Sequence, residues 1–146
     1  MSTVTDTVRA RVEVSPTSVV LLAGDLLAIA LFVLIGEIDH GNRPFANPGL
    51  AFGTYAPFLI GWLLVAVVAG MYGPLARSSL RRAVAMTLGT WFLADLVGQA
   101  LRSTAYFHGG TEISFFIVSF LFAGLFLTIW RVAVTAWLRR RSTALA

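Results

Sequence analysis

The sequence predicts an all-α, polytopic membrane protein with four transmembrane helices and with both termini in the cytoplasm. Hydrophobic residues make up 58% of the 146-residue chain and charged residues only 12%, whereas about 25% of an ordinary soluble domain is charged. Four apolar stretches each have the length of about 20 residues that a bilayer crossing requires. The arginines lie mainly on alternate connections between those stretches. These three observations exclude an ordinary soluble domain.

The predicted spans cover residues about 19–38, 50–72, 83–101 and 113–137. Ser15 and Pro16 form a helix-start signal before the first span, and glycines, asparagines and prolines separate the spans. Residues 19–137 therefore form the transmembrane domain. Residues 1–18 form a cytoplasmic tail, and residues 138–146 form a basic cytoplasmic tail.

Arginine placement predicts the orientation, because positive residues near the ends of spans are retained on the cytoplasmic side. Arg43 and Arg102 lie in or beside the alternate loops. Eight other arginines flank the cytoplasmic ends of the spans: Arg9, Arg11, Arg77, Arg81, Arg82, Arg139, Arg140 and Arg141. We therefore expect a multi-pass protein of the cell membrane with loops 39–49 and 103–112 outside. The net charge of +4 then reflects topology, so the expected partner is the lipid bilayer and not a nucleic acid.

The composition also excludes several kinds of chemistry. The chain has no cysteine, and all 11 basic residues are arginine, so thiolate nucleophiles, iron–sulfur ligands, Schiff bases and a P-loop lysine are absent. His40 and His108 both lie in predicted outer loops, whereas haem ligation in a bundle uses histidines on facing helices. We therefore expect no cofactor, no metal site and no enzymatic activity.

Ionisable residues inside spans are costly, so each one is a candidate for function. Asp25 of span one and Arg131 of span four both lie about 9 Å from the cytoplasmic end when each residue adds about 1.5 Å. At matching depth, the two side chains can neutralise each other as an ion pair. Such a pair fits two interpretations: a structural link that sets helix register, or a direct role in transport.

Glu37 and Arg102 lie at matching depth near the outer boundary. Each of these side chains can pair with the other, or can extend along apolar surface until its charged group reaches water. Both alternatives are open from the sequence alone.

Asp95 lies about 18 Å from the cytoplasmic end of span three, close to the bilayer midplane, and no arginine is predicted at its level. Gln99 and Arg102 continue one polar stripe from Asp95 towards the outside. Desolvation without a cation favours the neutral form of a carboxyl group at pH 7. A neutral Asp95 is expected either in a proton-coupled site or as a hydrogen-bonding link between helices.

Small residues predict close helix packing. Gly53, Pro57 and Gly61 lie on i, i+4 spacing in span two, which makes a ridge that another helix can approach. Gly124 begins a similar stripe that leads to Arg131 on span four. Four spans enclose little interior, so we expect a homo-oligomer. Aromatic residues near span ends, Tyr72 among them, are expected to anchor the protein at the membrane surface.

Several segments resemble a family of small four-span membrane proteins that is catalogued as a domain of unknown function. The resemblance rests on Asp25 and the apolar run to Gly36, then His40-Gly41, Pro57 to Trp62, Gly98 to Arg102 and Leu127 to Arg131. It covers residues about 20–135, and it matches Asp25, His40, Pro57, Gly61, Trp62, Arg102 and Arg131 but not Asp95. The resemblance implies an integral protein of the cell membrane, found mainly in halophilic archaea and high-GC bacteria, and implies no activity.

Two functional hypotheses follow. The leading one is a transporter or channel for a small solute or ion, with proton coupling as one form, in which Asp25, Arg131, Asp95 and Arg102 line or gate the path. The alternative is a structural or accessory membrane subunit whose buried polar pairs only fix helix packing. The sequence does not identify a substrate for the first hypothesis.

Overall fold

The computed structural model describes residues 4–146, with the side chains of residues 7–10 outside the described part. Arg9, which contributes to the predicted orientation, is one of those side chains. Within the described residues the chain forms five α-helices and one short 3-10 helix. The α-helices are α1 (Val4–Arg11), α2 (Pro16–Asp39), α3 (Pro48–Val68), α4 (Leu80–Arg102) and α5 (Ile113–Ala144). The 3-10 helix, Pro74–Arg77, precedes α4.

The all-α class and the four long apolar helices are confirmed. Helices α2 to α5 are each long and apolar enough to cross a membrane, which indicates a multi-pass membrane protein. Local signals explain where two of them begin. The Ser15 hydroxyl accepts a hydrogen bond from the Ser18 amide at 3.2 Å, and the Ser79 hydroxyl accepts one from the Arg82 amide at 3.1 Å. Both serines thereby satisfy amide groups that a helix start leaves unpaired.

The helix bounds differ from the predicted spans at two places. Helix α3 ends at Val68, four residues before the predicted end of span two. Gly70 then adopts a positive φ of 73°, which turns the chain so that Met71 and Tyr72 return to the interior. Helix α5 continues to Ala144, so most of the predicted basic tail is helical.

The four long helices pack as a bundle around an apolar core. The most extensive contacts join α3 to α4 and α4 to α5, and α2 packs against α5 and α3. Phe58, Trp62, Trp91 and Leu127 are among the buried side chains at the centre. Large aliphatic and aromatic side chains also cover the outer faces of the helices, as expected for surfaces in contact with lipid.

The bundle has two ends of different composition. The arginine-rich end comprises the 3-10 helix with its flanking loop and the last turns of α5, and the opposite end comprises the loops 40–47 and 103–112. Helix α1 contacts the arginine-rich end, where the Arg11 side chain donates a hydrogen bond to the Val68 carbonyl oxygen at 2.7 Å. The cytoplasmic location of this end stays a prediction from arginine placement.

Candidate functional site

A buried ion pair joins α2 to α5 on the side of the bundle nearer the arginine-rich end. Arg131 Nε donates to Asp25 Oδ1 at 2.8 Å, and Arg131 Nη2 donates to Asp25 Oδ2 at 2.5 Å. The Asp25 side chain is 0% exposed and the Arg131 side chain is 3% exposed. The pairing expected from depth along the two helices is therefore present, in the two-point geometry that suits a guanidinium and a carboxylate.

Two aromatic residues and one carbonyl complete the surroundings of this pair. The Tyr72 hydroxyl donates to Asp25 Oδ2 at 2.8 Å and accepts a hydrogen bond from Trp62 Nε1 at 3.0 Å. Arg131 Nη1 donates to the Met71 carbonyl oxygen at 2.8 Å. Each oxygen of the carboxylate and each nitrogen of the guanidinium thus has a partner, and a buried ion pair requires this to offset its desolvation. We call Asp25, Trp62, Met71, Tyr72 and Arg131 the ion-pair cluster.

Tyr72 belongs to this cluster and not to the membrane surface, so its expected role as a surface anchor is wrong. The side chain is only 5% exposed because the turn at Gly70 directs it inward. Burial, and then the negative charge of Asp25, raise the pKa of Tyr72 above its ordinary value. The phenol therefore stays protonated and keeps its hydrogen bond to Asp25.

A glycine permits the close approach of α2 and α5 beside the ion pair. Gly24 precedes Asp25, and Trp130 precedes Arg131. A Cβ atom on Gly24 would lie 1.9 Å from Trp130 Cε2, far inside van der Waals contact. The Trp130 indole therefore occupies the space that a side chain at position 24 would fill.

A second buried carboxyl group lies between α4 and α5, in the half of α4 nearer the opposite end. Asp95 is 0% exposed, and no described residue forms an ion pair with it. The Ser119 hydroxyl lies 2.9 Å from Asp95 Oδ1 and 2.8 Å from Asp95 Oδ2, and Gln99 Nε2 lies 3.2 Å from Oδ1. We call Asp95, Gln99 and Ser119 the Asp95 cluster.

The hydrogen bonds of the Asp95 cluster accommodate one additional proton. The Ser119 hydroxyl has a single hydrogen, yet it lies within hydrogen-bond distance of both Asp95 oxygens and of the Phe116 carbonyl oxygen, which is 3.0 Å away. When the Asp95 carboxyl is protonated, it donates to the Ser119 oxygen, and the Ser119 hydroxyl donates to the Phe116 carbonyl. The acceptors then no longer compete for one hydrogen.

Several buried polar atoms along α4 and α5 have no hydrogen-bond partner among the described residues. Gln99 Oε1 and Arg102 Nε continue from Asp95 towards the opposite end, and Thr87 Oγ1 and Thr128 Oγ1 lie on the other side of Asp95. At about 1.5 Å per residue, the two threonines lie about 12 Å and about 14 Å along their helices from Asp95 and Ser119 respectively. Unpaired buried polar atoms are uncommon in proteins and require an explanation. We call these four atoms, with the Asp95 cluster, the polar file.

Glu37 and Arg102, for which the sequence left open either pairing or extension to water, form no ion pair with each other and are both largely buried. The Glu37 carboxylate accepts hydrogen bonds from Asn42 Nδ2 and Thr54 Oγ1, each at 2.7 Å. Glu37 is 9% exposed and Arg102 is 8% exposed. The two residues lie at one end of the bundle as expected, but Asn42 and Thr54 offer Glu37 closer partners.

Arg102 instead contacts aromatic rings. Its guanidinium carbon lies 4.4 Å from the centre of the Phe115 ring and 5.8 Å from that of Phe58. The loop at Gly109, which has a φ of 129°, covers the guanidinium so closely that a Cβ there would lie 2.1 Å from Arg102 Nη2. Contact with the faces of two rings partly replaces the hydration that burial removes.

The residues expected to pack helices together have different surroundings. At Gly61 the approach is closest, since a Cβ there would lie 2.3 Å from the Ala94 carbonyl oxygen of α4. Gly124 faces Trp91, whose Cδ1 atom would lie 3.2 Å from the added Cβ. Pro57 is buried within the continuous helix α3. Gly53 has open space around it, since no described atom lies within 4 Å of an added Cβ.

Sequence reasoning did not assign four residues of the two clusters to a polar site: Trp62, Met71, Tyr72 and Ser119. Trp62 was named only in the family resemblance, and Tyr72 was expected at the membrane surface. The sequence did contain one signal for Tyr72. The residue follows a glycine that can turn the chain, and it lies at about the same depth as Asp25. Ser119 has no comparable signal, because a single serine in an apolar helix most often bonds to its own backbone.

Comparison with known proteins identifies a family and no characterised relative. A family model described as "Protein of unknown function (DUF3054)" matches residues 22–134. No curated protein and no solved structure matches the chain. The matched range contains the ion-pair cluster and the polar file, so both lie in the part of the chain that matches the family model.

Proposed function

We propose that this chain, which belongs to the DUF3054 family of proteins of unknown function, moves protons, or a small solute or ion together with protons, along the interface of α4 and α5. The Asp95 carboxyl is the group that accepts and releases the proton. This assigns the expected transport role to the polar file and a structural role to the ion-pair cluster.

The hydrogen-bond surroundings of Asp95 carry the proposal. A charged carboxylate that is buried without a cation is costly, whereas a neutral carboxyl can donate to Ser119 while the Ser119 hydroxyl donates to the Phe116 carbonyl. A carboxyl whose neutral form is accommodated by its neighbours, and whose charged form receives hydrogen bonds from Gln99 and Ser119, can exist in both states. Transport of protons requires such a group.

The unpaired atoms of the polar file support a route on both sides of Asp95. Gln99 Oε1 and Arg102 Nε are positioned towards the opposite end, and the two threonine hydroxyls are positioned towards the arginine-rich end. Each atom can bind water, and water held at such sites can pass a proton between neighbours. Arg102, buried beneath the Gly109 loop, is placed to control entry at the opposite end.

A specific observation favours the alternative function, a structural or accessory membrane subunit. The ion-pair cluster joins α2, α5 and the chain after α3 through hydrogen bonds that use each oxygen of Asp25 and each nitrogen of Arg131. A solute that passed between Asp25 and Arg131 would have to break this arrangement. The two residues therefore fit a structural role better than the path expected for them.

We also propose that the protein resides in the cell membrane with both termini cytoplasmic, and that it forms a homo-oligomer. The arginine-rich end supports the orientation, and the open surface at Gly53 on α3 leaves space for a helix of a second copy. Protease protection in sealed vesicles and the mass of the purified protein–detergent complex test these two statements.

Proton flux in proteoliposomes tests the proposed function. The purified chain is reconstituted with a pH-sensitive dye inside the vesicles, and a pH step is applied outside. We expect flux above that of protein-free vesicles for the wild-type chain, and flux equal to that of protein-free vesicles for Asp95→Asn. Asp39→Asn is the matched control, because Asp39 is exposed at the opposite end and should leave flux unchanged.

Two results would contradict the proton route: wild-type protein without flux, or Asp95→Asn with wild-type flux. Either result would leave the structural or accessory role as the better account. Asp25→Asn adds a direct comparison. If the Asp25→Asn protein is fully folded but has lost proton flux, the transport path would instead pass through the ion-pair cluster.

A further inference from the structure

A groove lies at the arginine-rich end, between the segment around the 3-10 helix and the last turns of α5. Its volume is about 430 Å³, and its lining includes Arg77, Ser78, Leu138, Arg139 and Thr143. The Arg139 guanidinium donates to the Ser78 carbonyl oxygen, which links the two walls. The groove lies outside both the ion-pair cluster and the polar file.

The groove is strongly basic. Residues 74–82 and 138–146 together contain six arginines and no acidic residue. Glu13 pairs with one lining arginine, since its Oε2 atom lies 2.9 Å from Arg77 Nη2. Glu13 offsets one of the six charges, so the surroundings of the groove keep an excess of positive charge.

A lining arginine carries a hydrogen-bond donor that no described residue uses. Arg77 Nη1 is buried without a partner among the described residues. The hydroxyl groups of Ser78 and Thr143 instead donate to the carbonyl oxygens of Leu75 and Arg139. A ligand in the groove would therefore be recognised by guanidinium groups, which match the oxygens of a phosphate.

An aromatic residue places the groove at the level of lipid headgroups. Trp137 precedes Leu138 and Arg139 on α5, and its side chain is half exposed. The Arg141 guanidinium carbon lies 4.2 Å from the centre of the Trp137 ring. Exposed tryptophans beside arginines are typical of the boundary between the apolar core of a bilayer and its headgroups.

We propose that this groove binds the phosphate group of an anionic phospholipid headgroup. Arg77 and Arg139 contact the phosphate from opposite walls, and Leu138 lies beside the start of the lipid chains. Basic pockets between transmembrane helices are a recurrent form of lipid recognition. This site is independent of the proton route, and either can be absent without the other.

Thermal unfolding of the full-length chain in neutral detergent tests the proposal. We expect added phosphatidylglycerol to raise the melting temperature and added phosphatidylcholine, whose ammonium group the arginines repel, to have little effect. Arg77→Gln with Arg139→Gln should lose the shift. Arg81→Gln with Arg141→Gln removes the same charge from the same end without touching the groove lining, and it should keep the shift.

Arg139→Gln alone provides a second test, since Arg77→Gln also breaks the pair with Glu13 and can affect folding. This single variant should reduce the phosphatidylglycerol shift while its unfolding without lipid stays close to wild type. The proposal would be overturned if the groove variants kept the full rise in melting temperature with phosphatidylglycerol. It would also be overturned if the control variant, Arg81→Gln with Arg141→Gln, lost that rise to the same extent. A shift with inorganic phosphate as large as that with phosphatidylglycerol would assign the groove to free phosphate and overturn the lipid assignment.

Discussion

Asp25 and Asp95 are both fully buried aspartates on long apolar helices, and their surroundings are opposite. Asp25 receives two hydrogen bonds from Arg131 and one from Tyr72. Within the described part of the chain, Asp95 is bonded only by the neutral groups of Gln99 and Ser119. The residue type and the burial are thus the same, and the difference lies in whether a cation is hydrogen-bonded to the carboxylate.

This difference assigns the two carboxyls to different tasks. A buried ion pair with all its polar atoms bonded is expensive to disrupt, which suits a permanent link between helices. The hydrogen-bond partners of Asp95 accommodate both its neutral and its charged form, so the carboxyl can exchange a proton without the loss of an ion pair. Under the proposed function, the bundle separates a structural polar site from a proton-exchanging one along its length.

The largest expected effect follows the loss of one partner of the ion pair. Asp25→Asn or Arg131→Leu should each lower the free energy of unfolding by about 3–5 kcal/mol, because an uncompensated charge or an unsatisfied group stays buried. Denaturant titration in detergent micelles measures this change. The double variant Asp25→Asn with Arg131→Gln should lose less than the sum of the single losses, and fully additive losses would contradict the assigned pairing.

Close helix approach beside the ion pair should have the next largest effect. Gly24→Ala places a Cβ in the space of the Trp130 indole and should lower the free energy of unfolding by about 1–3 kcal/mol through overpacking. Gly36→Ala is the control on the same helix, because nothing lies within 4 Å of its added Cβ. Thermal unfolding compares the two variants, and equal melting temperatures would contradict the close contact between α2 and α5 at Gly24.

The hydroxyl groups of the two clusters should differ in importance. Tyr72→Phe leaves both Trp62 Nε1 and Asp25 short of a partner, and should lower the free energy of unfolding by about 1–3 kcal/mol. Ser119→Ala should lower it by about 1 kcal/mol, since Gln99 still bonds to Asp95. The same denaturant titration compares them, and a larger loss for Ser119→Ala would reverse the ranking of the clusters.

Asp95→Asn should have the smallest effect on stability, less than about 1 kcal/mol. The asparagine amide resembles a neutral carboxylic acid, since it has one oxygen that accepts and an NH₂ group that can donate to Ser119. Thermal unfolding beside Asp25→Asn measures the contrast. A loss as large as that of Asp25→Asn would mean that Asp95 is charged and structurally paired.

Much of this architecture could be predicted from the sequence, because hydropathy and helix rise act on long segments. Depth along two straight helices was enough to match Asp25 with Arg131. Depth does not define which way a side chain points, and so Glu37 and Arg102 share an end of the bundle without pairing. Asn42 and Thr54 reach Glu37 from the following loop and helix, which one-dimensional depth does not describe.

The remaining features depend on turns and on single polar residues. Tyr72 joins the ion-pair cluster because the chain turns at Gly70. The apolar run continues past this turn, so the sequence predicted a single span up to residue 72. Ser119 becomes the partner of Asp95 only through the rotation of α5 against α4. These contacts are set by packing between helices that are distant in sequence.

Infrared spectroscopy of the Asp95 carboxyl tests the central claim most directly. When the pH is lowered from 9 to 4, the wild-type chain should gain the carbonyl-stretch band of a protonated carboxylic acid at a higher pH than its exposed carboxyl groups do, because Asp95 is buried with neutral hydrogen-bond partners. The band should disappear in Asp95→Asn and persist in the control Asp39→Asn. A wild-type spectrum without that band, or a band that Asp95→Asn leaves in place, would contradict the assignment of Asp95 as the proton-exchanging group.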